Sequence, residues 1–280
     1  MNTRTIPRLE SIRAVREDEI PWPQGIAELR EGRYRVAFAR TQADLAEVLS
    51  LRFEVFNREL GEGLASSWLT GLDRDPFDAT CHHLMLVDER RDEVVGTYRL
   101  QTAAMARAGS GYYSATEFEL AALAPYFDQS VELGRACIRK DHRNGTALFA
   151  LWRGLAAYLA WSGKRAFFGC CSLTSQDARA GLRLTEELEL GGHVSAELCL
   201  PARAAYRCES SAGVLASEVA LPTLFGTYLR HGARVISEPA LDRSFGTIDW
   251  LVYLDIADLP ARLRRLFFAG LADPLRERAA

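Results

Sequence analysis

The sequence predicts a mixed α/β (α+β) fold, a mostly antiparallel sheet flanked by helices, and three observations carry that reading. The strand-like runs HHLMLVD and EVVGTYRLQTA are separated only by ERRD, so they form a hairpin and pair antiparallel. VELGRACI runs almost directly into the apolar stretch from Gly145 to Trp161, too long for a strand and long enough for a buried helix. A chain of 280 residues with 48% hydrophobic content can fill one large core with helices packed on a sheet.

Taken in order, residues 1–32 carry mixed charge with prolines on both sides of Trp22, and read as an N-terminal arm. YRVAFA alternates like a strand. TQADLAEVLSLRFEVFNREL then shows helical spacing behind Thr41, a good N-cap. The polar stretch GEGLASSWLTGLDRDPFDAT is a loop before the hairpin, and GSGYYSATEFELAAL a loop entering a short helix. A strand over 131–138, the helix over about 145–161, the strand KRAFFGCCSL and the helix QDARAGLRLTEEL complete a core set at 33–200. Residues 201–280 form a C-terminal extension packed on that core: PTLFGTYLRHGARVI and FGTIDWLVYLDIADL add a helix and a strand. The end, PARLRRLFFAGLADPLRERA, is a basic amphipathic tail, fit to dock on the core or to touch an anionic membrane face.

Composition excludes several classes. A net charge of -3 argues against general nucleic-acid binding, which needs a strongly basic face. The N-terminus lacks an apolar signal region and no apolar run reaches spanning length, so the expected location is cytoplasmic. Six cysteines show no CxxC pair and sit mostly in apolar runs, as buried reduced thiols do. Cys81, His82 and His83 are consecutive strand residues facing alternate sides, so no metal is expected there.

Charged residues stand where apolar ones belong. Arg99 lies inside VVGTYRLQT, and Glu132 and Arg135 flank Gly134 in the strand VELGRACI; regular alternation puts Glu132 and Arg135 on opposite faces unless that glycine marks a bulge. Arg52 and Phe56 share one face of the first helix. Buried arginines need carboxylates, so Arg52, Arg99 and Arg135 with Asp75, Asp78 and Glu132 form one network. Such a network either only fixes the loops or lines a polar pocket for a small zwitterion or amine. The loop RKDHRNG, between a strand and a helix N-terminus, is placed to meet a phosphate, although no Walker or dinucleotide pattern is present.

LRFEVFNREL, DRDPFD, GTYRLQT, EFEL and ELGRACI, in this order, resemble the branch of the GCN5-related N-acyltransferase (GNAT) fold that contains acyl-homoserine-lactone synthases and N-acyl amino acid synthases. CHHLMLVD, GYYSATEFEL, LWRGLAAY and FGCCSL are most similar to the ornithine N-acyltransferases of ornithine-lipid synthesis, also called haemolysin-like; the resemblance spans roughly residues 34–255. It implies transfer of a 3-hydroxyacyl chain from acyl carrier protein to the α-amine of ornithine, with no bound cofactor. It further implies that Arg52, Phe56, Asp75, Asp78, Arg99, Phe118, Glu132 and Arg135 form and support the amino-acid cleft. Glu132 takes the part of general base, directly or through a water, and Arg99 or Arg135 pairs with the acceptor carboxylate.

RKDHRNGTA resembles a worn form of the acyltransferase pyrophosphate loop, with His142, Gly145 and Ala147 in its key places. Arg139, Lys140 and Arg143, joined by Lys164 and Arg165, would meet an acidic carrier protein and its phosphopantetheine. Beyond Phe56 and Trp68 the chain lacks the aromatic pocket that lactone synthases use for S-adenosylmethionine. Another amino acid as acceptor, lactone synthesis, and a non-catalytic acyl or amine sensor are the rival readings.

Overall fold

In the nine-stranded sheet all neighbouring strands run antiparallel except one pair, and the site forms at that exception. The computed structural model describes residues 18–209 and 219–277. The strands are β1 (Leu29–Glu31), β2 (Tyr34–Phe38), β3 (His82–Asp88), β4 (Glu93–Thr102), β5 (Ser130–Ile138), β6 (Ala166–Leu173), β7 (Arg234–Val235), β8 (Ala240–Asp242) and β9 (Thr247–Asp255). They lie in the order β1-β2-β3-β4-β5-β6-β9-β7, with β8 paired to β9. The helices are α1 (Gln42–Phe53), α2 (Ser67–Thr70), α3 (Ala103–Ala108), α4 (Gly145–Ser162), α5 (Ala178–Leu190), α6 (Thr223–Arg230), α7 (Ala261–Phe267) and α8 (Pro274–Glu277). This is the mixed, mostly antiparallel sheet with flanking helices that the sequence predicts. Residues 1–17 of the expected arm lie outside the described residues; its end forms β1, paired with β2.

Alternation sorts the two faces of the sheet. Val36, Phe38, Leu84 and Leu86 pack beneath α4 in the largest core cluster, while Ala37, Met85 and Val87 face α1 through Leu45, Val48 and Leu49. Helix α4 presses close because Gly154 has no side chain: a Cβ there would stand 2.6 Å from Val36 Cγ1. Thr41 caps α1 in a capping box with Asp44. After Phe53 the helix widens into a π-helical stretch, Glu54–Leu60, which stops at Gly61 in the left-handed region (φ 69°). The tail turns inward: Phe267 and Phe268 join the main core, and Arg153 Nη1 donates to the carbonyls of Phe267 and Ala269 at 2.8 and 2.6 Å.

The parallel pair β5–β6 is short, matching only Ser130, Val131 and Glu132 with Ala166, Phe167 and Phe168. Beyond it β6 continues along β9 while β5 bulges against β4, and a cavity of about 360 Å³ lies between them, lined by Leu133, Gly134 and Ala136 on one side and Gly169, Cys170 and Ser172 on the other. Gly169 sits at the point of divergence, where a Cβ would be 2.1 Å from the Leu133 carbonyl oxygen. Neither backbone can yield there, since each is held by its outer neighbour. Gly169→Ala should therefore cost roughly 3 kcal/mol of stability, the upper end for overpacking, read as a lower urea midpoint with an unchanged slope.

Candidate active site

Three arginines and three aspartates meet beneath the cavity. Arg52 comes from the last turn of α1, Arg99 from β4, Arg135 from β5, and Asp73, Asp75 and Asp78 from the loop before β3. Arg52 is fully buried and donates from Nε to Asp73 (2.7 Å) and from Nη1 to Asp78 (2.7 Å). Arg99 Nη1 reaches Asp75 at 2.6 Å and Asp78 at 3.0 Å, and Arg135 Nη2 reaches Asp75 at 3.0 Å. Burial works to raise the pKa of Asp75 and Asp78, but the guanidiniums beside them, Arg99 with Arg135 and Arg52 with Arg99, hold both below the usual carboxylate range. The charges cancel, so the network can stay buried at neutral pH.

Arg135 belongs to this face only because β5 bulges. Thr97 pairs with Cys137 and Arg99 with Gly134, so β5 carries one extra residue across this span, and Arg135 takes a left-handed backbone (φ 48°). The bulge brings Arg135 round to the side of Arg99 and Glu132, and its guanidinium lies 4.8 Å from the Tyr113 ring and 4.4 Å from the Phe245 ring. Arg99 Nη2 stays buried without a hydrogen-bond partner.

Glu132, opposite Gln101 of β4, is held by the turn before Phe118: Oε1 accepts from Ser114 N (2.8 Å) and Ser114 Oγ (2.7 Å), and Oε2 from Tyr113 N (3.1 Å). Burial raises its pKa above the ordinary glutamate value, against the hydrogen bonds from Ser114 and the charge of Arg99. A side void of about 10 Å³, close to the room one water needs, touches Glu132, Arg99, Tyr113 and Gly134.

The main cavity is two-sided. Tyr98, Trp152, Leu155, Leu159, Ile256 and Phe267 give one part an apolar wall, interrupted by the hydroxyls of Tyr98 and Tyr228, 2.5 Å apart. Glu62, Ser172, Thr174 and Asp249 make the other part polar. Asp249 also belongs to a buried cluster with Glu117 and Asp242.

The structure gathers the sequence-predicted residues unevenly. Arg99, Arg135 and Glu132 converge, and Phe56 lines the cavity against Phe245 with ring centroids 5.4 Å apart. Arg52, Asp75 and Asp78 lie in the supporting network. Phe118 does not reach the cavity: it is fully buried in the core with Leu200 and Ala202, because the turn that carries it sends Glu117 toward the site and Phe118 away. His142 faces inward, 1% exposed, 2.9 Å from both Arg33 Nη2 and Arg139 Nη2, and burial lowers its pKa; the loop therefore does not present it to a phosphate. Arg143 is bidentate to Glu59, Arg139 pairs with Glu93 and Asp141, and the Ala147 N–H is capped by Asn144 Oδ1 at 3.0 Å, leaving exposed Lys140 and Gly145 on that loop.

Lys164 and Arg165 are not part of this patch. They follow the far end of α4, whose 18 residues span about 27 Å. His82 and His83 bond Tyr158 Oη and the Asp78 carbonyl, and burial pulls each pKa down to about 4, so both are neutral spacers. Sequence reasoning missed Asp73, Glu117, Asp242 and Asp249. The first two stood inside the motifs DRDPFD and EFEL; the last two had no local signal.

The acetyltransferase (GNAT) domain profile matches residues 51–153, from the end of α1 into α4. The chain is 30% identical over 249 residues to the L-ornithine N(alpha)-acyltransferase of Agrobacterium fabrum, covering 83% of this chain and 84% of that protein. It is 31% identical over 249 residues to the L-ornithine N(alpha)-acyltransferase of Rhodobacter capsulatus, covering 84% and 94%. Among solved structures, an N-acyl amino acid synthase from uncultured soil microbes aligns with a TM-score of 0.48 and 9% identity over 81% of this chain and 94% of that one.

The charge network sets an acid limit. Asp75 and Asp78 have depressed pKa values in the fold, so their contribution is complete above the unfolded value of about 4 and is lost as pH falls through the lower folded values. Asp78→Asn leaves Arg52 and Arg99 short of a charge and should cost about 3–5 kcal/mol at pH 7. Its stability should also depend less on pH below about 4 than that of the unaltered protein, as urea melts at several pH values would read.

Proposed function

The chain belongs to the L-ornithine N(alpha)-acyltransferase family, and from that premise we propose that it moves a 3-hydroxyacyl chain from acyl carrier protein onto the α-amine of ornithine, giving a lyso-ornithine lipid. The observation that carries the reading is Glu132, a buried carboxylate with a raised pKa at the point where β5 and β6 diverge around a cavity polar on one side and apolar on the other.

The chemistry follows from these positions. The α-ammonium gives a proton to Glu132, directly or through one water in the adjoining void, and the freed amine attacks the thioester carbonyl. A C–N bond forms, the C–S bond breaks, and the carrier thiol leaves with a proton. The oxyanion formed on the way needs donors already in place; the bulge takes Arg135 and Ala136 out of the ladder with β4, and their backbone amides are the candidates. The acceptor carboxylate suits Arg99 Nη2, a buried guanidinium nitrogen of this network without a hydrogen-bond partner, with Arg135 beside it.

The apolar wall suits an acyl chain, and the Tyr98–Tyr228 hydroxyl pair supports a 3-hydroxyl because it places polar atoms on that wall. For the donor, exposed Lys140 and the Arg139 and Arg143 side chains surround the start of α4; their present carboxylate partners are exposed, so an acidic carrier could exchange with them. Arg262, Arg265 and Leu266 remain on the outer face of the tail, where they could touch a membrane that takes the product. Among the described residues no helix is long and apolar enough to cross one.

Glu132→Gln should lower kcat/KM for amine acylation by about 10²–10⁴-fold with the fold intact, whereas an unchanged rate would remove Glu132 as the base. Because its carboxylate must be ionised to accept the proton, the wild-type rate should fall as pH drops through a midpoint above the free value of about 4.3. With four donors, 3-hydroxyacyl and unsubstituted acyl chains on carrier protein and on coenzyme A, the hydroxylated carrier thioester should give the highest kcat/KM. Equal rates from coenzyme A would refute the carrier, and equal rates from the unsubstituted chain would refute the hydroxyl preference.

A further inference from the structure

The proposed acceptor has two amines, and the arrangement above uses one. Glu117, Asp242 and Asp249 each bring a carboxylate oxygen within 4.8 Å of the other two, and all three residues are buried. Asp242 comes from the end of β8 and Asp249 from β9, joined by a tight turn through Thr247, while Glu117 arrives from the turn after Ser114. Gathering three carboxylates away from water is costly unless protons or a cation balance them.

The fold meets only part of that demand. Asp242 Oδ1 accepts from the backbone N–H groups of Ser244 and Phe245, Tyr113 Oη lies 3.5 Å from its Oδ2, and Asp249 Oδ2 accepts from Thr247 Oγ1. Asp249 Oδ1 and both oxygens of Glu117 meet no donor at hydrogen-bonding geometry, though Glu117 is fully buried and Asp249 only 3% exposed. Around them stand carboxylates and hydroxyls: burial and then Asp249 and Asp242 drive the Glu117 pKa up against the nearby Tyr113 hydroxyl, and burial pushes Asp249 up to about 6 against the nearby hydroxyls of Ser172 and Thr247. Asp249 also lines the main cavity.

Tyr113 measures the separation from the reaction centre. Its backbone N–H donates to Glu132 and its hydroxyl faces Asp242, so base and cluster lie one tyrosine apart. An extended ornithine places its two nitrogens about 6 Å apart by standard bond lengths, so it can lie along this side chain with one amine toward each group. An ammonium offers three N–H donors and no acceptor, which complements one oxygen from each of three carboxylates.

We propose that Glu117, Asp242 and Asp249 form the recognition site for the side-chain ammonium of a diamino acid acceptor, and so select ornithine over neutral amino acids of equal length. This inference rests on the acylation reading given above. It assigns to three residues of this chain the discrimination that a hydrophobic pocket alone cannot supply.

The test compares ornithine with norvaline, which has the same carbon chain without the δ-amine, using full-length protein and saturating acyl donor. Wild-type kcat/KM should favour ornithine by about 100-fold or more. Glu117→Gln and Asp249→Asn, made separately, should each raise KM for ornithine about 10- to 100-fold while changing the norvaline rate by less than about twofold, so the preference collapses. An unchanged preference in both variants overturns the inference. So does loss of the ornithine preference in EDTA with recovery in Mg²⁺ or Ca²⁺, which would assign the cluster to a metal. Wild-type protein that acylates norvaline as well as ornithine overturns the inference and leaves the acylation reading standing; protein that acylates no amino acid removes both. Should neither variant fold, ornithine must raise the wild-type melting temperature more than norvaline at equal concentration, and equal shifts overturn the inference.

Discussion

The short parallel ladder between β5 and β6 is the constraint on which the rest of the structure depends. Three residue pairs hold the strands together, and past Glu132 and Phe168 each strand takes a different partner. A continuous sheet would satisfy its backbone groups along the whole edge; here that edge is surrendered, and the space left is the cavity. The bulge on β5 and Gly169 on β6 both sit beside this divergence. One turns Arg135 and two amides out of the ladder, and the other lets the backbones pass before they separate.

Two electrostatic arrangements flank that opening and behave in opposite ways. Beneath it, Arg52, Arg99 and Arg135 neutralise Asp73, Asp75 and Asp78, and the carboxyls of Asp75 and Asp78 are held below the usual carboxylate range. That network joins α1, β4, β5 and the loop before β3, so it fixes the floor on which Glu132 and Arg99 stand. Beside it, Glu117, Asp242 and Asp249 are gathered without comparable compensation. Holding three carboxylates together away from water costs stability even when raised pKa values let protons relieve part of the charge, and the proposed recognition of an ammonium gives that cost a purpose.

The C-terminal region completes the site. β9 lies against β6 along eight residue pairs and carries Asp249, and β8 places Asp242 beside it. Tyr228 from α6 and Phe267 and Phe268 from the tail finish the apolar wall. Residues beyond 200 therefore supply both ends of the cavity, polar and apolar, although the profile match ends at 153.

Much of this was legible in the sequence because it depends on local periodicity and short motifs. Hairpin β3–β4, the capped helix α1 and helix α4 follow from spacing and capping alone, and the ordered motifs from LRFEVFNREL to ELGRACI carried the acyltransferase resemblance. Glu132, Arg99 and Arg135 stood out because charge inside a strand pattern demands an explanation. Tertiary structure alone decided which charges meet. It turned His142 inward onto Arg33 and Tyr34, sent Phe118 into the core, put the length of α4 between Lys164 and Lys140, and joined Glu117 to Asp242 and Asp249 across more than a hundred residues. Periodicity reports which face of an element a residue occupies; only the packing of distant elements determines what that face meets.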